Sequence, residues 1–214
     1  MDFRNIMNSL SKEYLVPDAN VEQASLIFIL ESPHVQEVKN GVPVAGASGA
    51  TMTKHLVGAE QKTPLGLLVK KYVEHNEAEE VENIGLMNIC QLPMQRAAYQ
   101  KNDIEQLNDF FDIVEGIRTS NHKKEFKDET WNDMQKVILN HFLKRLKELE
   151  NKSYTLVPCG RFAQKFFQMA MEHVDSSSWK VIDDVPHPSY NSWSRERYRN
   201  AVKQVQEIYE STKS

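Results

Sequence analysis

The residues of this chain best suited to chemistry lie in two short segments, Glu31-Ser32-Pro33-His34 and His187-Pro188-Ser189-Tyr190. Together they offer a carboxylate, hydroxyls and imidazoles, a set that can place water and support a departing anion. An imidazole donates a hydrogen bond in either protonation state. Its neutral form also avoids the cost of burying an isolated charge. His187 is therefore a candidate donor to the oxygen of a leaving group, with a structural histidine at a strand end as the ordinary alternative. Glu31 could orient water or stabilise a nearby cation, or it could accept amide hydrogens or pair with Arg96. Ser32 can position water but is not a strong base at neutral pH. Pro33 and Pro188 fix their own φ and restrain the residue before them, here Ser32 and His187.

Asn88 brings one acceptor and two donors, enough to read the edge of a nucleobase-like ring. Asparagine is a poor choice inside a strand, which favours a site over a satisfied core amide. Gln91 and Gln95 carry a weaker version of the same signal. Gly46, Ser48 and Gly49 could form a close-approach loop around a base or phosphate, or simply a surface loop. The segment is not a Walker motif, since the Lys-Ser/Thr ending is missing. Arg161 follows Gly160 at an expected helix start and could join a phosphate-binding surface. Arg195, Arg197 and Arg199 do not share one helical face, so at most two should address one phosphate path. Tyr190 and Trp193 flank the last polar loop and are interface candidates. Tyr190 could wedge into a base stack or pack beneath its loop. The remaining histidines have no zinc-like spacing, and no metal is expected.

These side chains need strands to carry them. Leu26–Leu30 is a short apolar run and reads as a buried strand. Ile84–Cys90, Tyr154–Val157 and Lys180–Val185 are the other strand candidates. Between them fall helices over Thr51–Val57, Pro64–Val73, Asp103–Ile117, Trp131–Leu149 and Arg161–Val174. Asn191, Ser192 and Ser194 are placed to cap a final helix. Residues 31–49 read as a long irregular loop, unusual in a compact domain unless it has a job. Strand and helix alternate, which predicts a three-layer α/β/α sandwich around a mainly parallel four-stranded sheet, as one domain over 1–214.

Composition sets the outer bounds. Of 214 residues, 40% are hydrophobic and 26% charged, an ordinary globular mixture. Two cysteines give no disulfide framework, and the expectation is two buried free thiols in a reducing, cytoplasmic setting. No apolar run approaches membrane-spanning length. A net charge of -4 counts against non-specific nucleic-acid binding, though not against a local basic face.

Four segments, taken together, resemble the uracil-DNA glycosylase superfamily. They are Leu30–His34, then Asn40-Gly41-Val42-Pro43-Val44-Ala45-Gly46-Ala47-Ser48-Gly49, then Gly85-Leu86-Met87-Asn88-Ile89, and finally His187–Tyr190. Pro158-Cys159-Gly160-Arg161-Phe162-Ala163 is a weaker fifth element. The resemblance implies a parallel-sheet fold, a pocket for an extrahelical base and glycosidic cleavage without a metal or other cofactor. It implies water positioning by Glu31 and Ser32, and support of the leaving base by His187. Base contacts would fall to Asn88, Ser189, Gln91 and His34. DNA-backbone or wedge contacts would fall to Gly46, Ser48, Gly49, Arg161, Tyr190 and Arg195. Ser32 stands where the most active branch has an Asp, and His34 also departs from the usual residue. Residues 99–130 match no family element. The expected activity is release of uracil or another modified base from DNA, with DNA as partner and no membrane. The alternatives are a catalytically weak or inactive module binding a nucleotide, modified base or protein, and a hydrolase of free nucleosides or nucleotides.

Overall fold

Leu26–Leu30 is apolar at every position and forms β1 with all five residues buried. A strand covered on both faces has no reason to alternate polar and apolar side chains. The other strands of its sheet are β2 (Ile84–Asn88), β3 (Tyr154–Pro158) and β4 (Trp179–Val181) in this computed structural model, which describes residues 1–213. The sheet order is β2-β1-β3-β4, and every pairing is parallel. All four carboxyl ends therefore lie along one edge. The chain leaves β1 for β2 on one side, while β3 pairs on the other side of β1. Such a change of direction opens a crevice outside the strand ends.

Helices cover both faces, giving three layers. Ile27 and Ile29 of β1 pack with α1 (Phe3–Tyr14), α6 (Asn108–Thr119), α7 (Glu129–Lys147) and α8 (Arg161–Met171). Leu26, Phe28 and Leu30 face the opposite layer of α3 (Ala47–Leu56), α4 (Leu65–His75) and α9 (Arg199–Thr212). The period of two thus sorts one apolar run into two cores. Two short helices, α2 (Val35–Asn40) and α5 (Lys101–Ile104), complete the set among the described residues. No described helix is long and apolar enough to cross a membrane.

The differences from the sequence expectations have local causes. The helix α1 is an addition, and its buried Phe3, Met7, Leu10 and Tyr14 follow helical spacing. Residues 31–49 are not one irregular loop, because α2 and the start of α3 lie within them. The helix expected over Asp103–Ile117 breaks between Ile104 and Asn108. The fourth strand stops at Val181 rather than Val185, and Asp184 beyond it adopts a left-handed φ of 61°. Asn191, Ser192 and Ser194 do not cap the last helix. They sit in a 3-10 turn over Ser189–Ser194, and α9 begins only at Arg199 after extended backbone at Arg195. Cys90 and Cys159 are buried free thiols, and burial pushes the Cys90 thiol up to about 11.

Candidate functional site

The carboxyl edge of the sheet opens into a cleft of about 1270 Å³. Its walls come from all four strand ends. Glu31, Ser32 and His34 follow β1, and Asn88 closes β2. Gly160 and Arg161 follow β3, and His187 and Ser189 come after β4. Gly46 and Ser48, at the start of α3, and Gln95 join them.

At the floor lies a carboxylate that the sequence reading missed. Glu37 is buried in α2 and lines the cleft. Its Oε2 accepts the His34 backbone N–H at 2.8 Å, the reach-back half of a helix capping box. Its Oε1 accepts the Val44 N–H at 2.8 Å and approaches Asn88 Nδ2 at 3.4 Å. Burial raises the Glu37 carboxyl above the ordinary range, and the amide donors pull it back. Asn88 is 1% exposed, and its Oδ1 has no partner in the protein. A buried acceptor left without a hydrogen bond costs about 1–3 kcal/mol, so its presence calls for an explanation.

The backbone under Asn88 is clamped from the opposite face. Arg145 of α7 donates through Nη2 to the carbonyls of Asn88 and Ile89, both at 2.8 Å. Its Nη1 reaches both carboxylate oxygens of Asp18, at 2.7 and 2.8 Å. Burial raises the Asp18 carboxyl even though Arg145 opposes that shift. Ladder bonds continue past the strand, with Ile89 N–H to Leu30 O and Cys90 N–H to Glu31 O. The amide at the floor therefore sits on a fixed base.

His187 is held from one side. The Ser189 backbone N–H donates to its Nδ1 at 3.2 Å, and Ser189 Oγ lies 3.0 Å from the same nitrogen. An Nδ1 that accepts carries no proton, so the neutral ring holds its hydrogen on Nε2. Burial lowers the His187 pKa; Glu31 opposes that shift and Arg118 adds to it. The ring is thus kept neutral with one N–H to donate. Gly160 makes room for this arrangement. Its φ is 86°, and a Cβ there would stand 2.7 Å from His187 Cβ. Ser192 Oγ donates to the His187 carbonyl, and the Trp193 indole N–H donates to Pro186 O at 2.9 Å.

Glu31 does not pair with Arg96, which reaches Asp112 and Glu115 instead. Its partner is Arg118 of α6, at 2.6 Å. Arg118 and Asn121 bring the stretch 99–130 to the cleft wall. At the mouth, Arg161, Arg195 and Arg197 line the opening, while Arg199 bonds Glu196. Asp183 and Asp184 stand among them. Tyr190 projects from the rim, 90% exposed, with a left-handed φ of 52° shared by Asn191 at 51°. It does not pack beneath its loop, whereas Trp193 is buried in the core of the chain.

Two residues expected at the site fall elsewhere. Gln91 lies in a separate groove with His141 and Arg145, and its side chain bonds Asp18. Gly49 is a packing position, because a Cβ there would meet Val44 O at 1.7 Å. Glu37 was legible only as the third residue after a possible cap, a signal hidden by reading 31–49 as loop. Arg118 and Arg145 carried no local signal, being 87 and 57 residues from their partners Glu31 and Asn88. No protein-family model matches the chain, and no curated protein matches it in sequence.

Proposed function

We propose that this protein is a glycosylase-like hydrolase of the uracil-DNA glycosylase kind, releasing uracil or another modified base from DNA. The observation that carries the reading is the pairing, in one cleft, of a neutral imidazole with a free Nε2–H and a buried amide with a free oxygen. A leaving base needs both. As the glycosidic bond breaks, its electron pair moves to the base, and negative charge gathers on the base oxygens. A fixed donor aimed at that oxygen stabilises the developing charge without reorganising at the moment of reaction. His187 would supply that donor, and Asn88 would hold the base edge. Water, placed by Ser32 and neighbouring backbone, attacks the sugar carbon and loses a proton that the departing base anion takes up, so a free base and an abasic site result.

Glu31 has a narrower part. Its carboxylate is already engaged by Arg118, so it acts through that ion pair, setting the field beside the sugar, rather than as a free base. Tyr190 would occupy the gap a flipped base leaves, and Arg161, Arg195 and Arg197 would meet phosphates. The engaged Glu31 and the weak base Ser32 equally favour a second reading, a module of the same fold that binds a modified base without cleaving it.

The test is a metal-free panel of oligonucleotides with different modified bases, followed by chemical cleavage at abasic sites. Base release is expected from the wild type. In His187→Ala it should fall by about 10²–10³-fold, the usual cost of one such donor, and Asn88→Ala should fall strongly too. A wild type that binds these oligonucleotides without cleaving any replaces the first reading with the second. Cleavage unaffected by either substitution removes both.

A further inference from the structure

Two neighbouring residues of the cleft rim, Tyr190 and Asn191, hold left-handed backbone, with φ of 52° and 51°. Asparagine tolerates that region, but for a bulky side chain such as tyrosine it is a costly exception. Such backbone persists only where its surroundings hold it. The Tyr190 ring supplies no restraint, since it projects into solvent. The Arg195 bond to the Tyr190 carbonyl is long, at 3.3 Å, and comes from an exposed side chain. A shorter line of bonds leads out of the turn. Ser194 Oγ donates to Asn191 Oδ1 at 2.9 Å and lies 3.0 Å from His55 Nε2. A hydroxyl has one hydrogen to give. Ser194 spends it on Asn191, so Nε2 of His55 must be the donor to Ser194 Oγ. The relay runs in one direction, from His55 through Ser194 to Asn191.

We infer that His55 is a positioning residue for Tyr190, holding the rim turn through Ser194 and Asn191 so that the exposed ring is aimed before any ligand arrives. His55 is a firm anchor for this. It sits in the last turn of α3, and its carbonyl accepts Gln206 Nε2 of α9 at 2.7 Å. Its ring stands edge-on to buried Trp193 of the same rim turn, with 5.9 Å between centroids. Ser48, in the first turn of α3, lines the cleft. One helix therefore ties a wall of the cleft to its rim. What Tyr190 meets rests on the glycosylase reading, in which it enters the gap left by a flipped base. A ring aimed beforehand does not have to be ordered at the moment of binding, which is where preorganisation adds affinity.

Nitrogen-15 relaxation of the free protein reads the relay directly. Backbone order parameters of Tyr190 and Asn191 should be about 0.85 in the wild type and below about 0.6 in Ser194→Ala. Ser194 is exposed, so that variant should keep its fold. His55→Gln keeps an N–H to donate and should keep the order, whereas His55→Phe keeps a ring against Trp193 and should lose it. Order that falls or stays alike in the two His55 variants overturns the donor role. So does order retained in Ser194→Ala, or a wild-type turn that is already mobile. Binding of a uracil-containing oligonucleotide is the functional arm. A competent turn that is only partly populated weakens binding in proportion, so Ser194→Ala should bind about fivefold or more weakly. In a Tyr190→Ala background the same substitution should change binding by less than about twofold. Equal losses in both backgrounds overturn the link to Tyr190. A folded wild type that binds no oligonucleotide of the modified-base panel overturns the glycosylase reading instead, and the order parameters still decide the role of His55.

Discussion

Asn88 and Tyr190 line the same cleft, yet one is 1% exposed and the other 90%. The floor around Asn88 is specified from every direction. Glu37 holds its amide, Arg145 holds its carbonyl, and Leu30 accepts from the next N–H. The rim around Tyr190 is held by fewer bonds, where Arg195 donates to the Tyr190 carbonyl and Ser194 Oγ donates to Asn191 Oδ1. Its side chain is left to solvent. The difference teaches that a rigid, hydrogen-bonded floor and an exposed rim are separated in space within one cleft. A buried floor in a low dielectric can reject a wrong partner, while an exposed rim can only add affinity. The charges follow the same division. Floor charges are paired or hydrogen-bonded, whereas Arg195 and Arg197 at the rim are exposed.

The largest effect that would break this contrast belongs under the floor. Arg145→Ala should destabilise the fold by about 3–5 kcal/mol, because it strands buried Asp18 and two carbonyls without their donor. Denaturant midpoints measure this, and a loss under about 1 kcal/mol would mean that the clamp is not needed. Gly160→Ala should come next. Its Cβ must displace His187, and a shift near 1 Å costs roughly 10²-fold in rate. Base-release kinetics on the best substrate check it, with circular dichroism confirming the fold. Tyr190→Ala should separate rim from floor most cleanly. Stability should stay within about 0.5 kcal/mol, since the side chain is exposed. Oligonucleotide affinity should fall by about 1–3 kcal/mol, the range for an aromatic that stacks on a base.

The smallest effect is a pH dependence. Burial lowers the His187 pKa in the folded state. The unfolded ring takes up its proton near about pH 6.5. Between the two values the unfolded state binds more protons, so stability rises with pH there. The contribution is therefore complete above about pH 6.5 and is lost as pH falls through the folded value. Burial shifts His55 and His141 in the same direction, so His187→Gln should reduce the acid loss without abolishing it. Midpoints measured on both sides of about pH 6.5 would show this.

Much of the scaffold was legible because it depends on local pattern. The all-apolar run at Leu26–Leu30, the spacing of Leu65, Leu68 and Val69, and the placement of Asn88 at a strand end all needed only neighbours in sequence. His187 and Glu31 were legible for the same reason, as polar groups just past apolar strands. Their partners were not. Arg118 reaches Glu31 across the fold, Arg145 reaches Asn88 from the far layer, and Glu37 gains its importance only when α2 folds back over β2.

By itself the sequence determined the strands, most of the helices and the loops that carry the polar side chains of the cleft, because periodicity and chain-breaking residues act over a few positions. Tertiary structure alone decided the state of each group. It set which nitrogen of His187 holds the proton, which end of Asn88 is spent, and that Glu31 is already paired. Those properties depend on burial and on charges brought close by distant segments, and neither exists until the layers have packed.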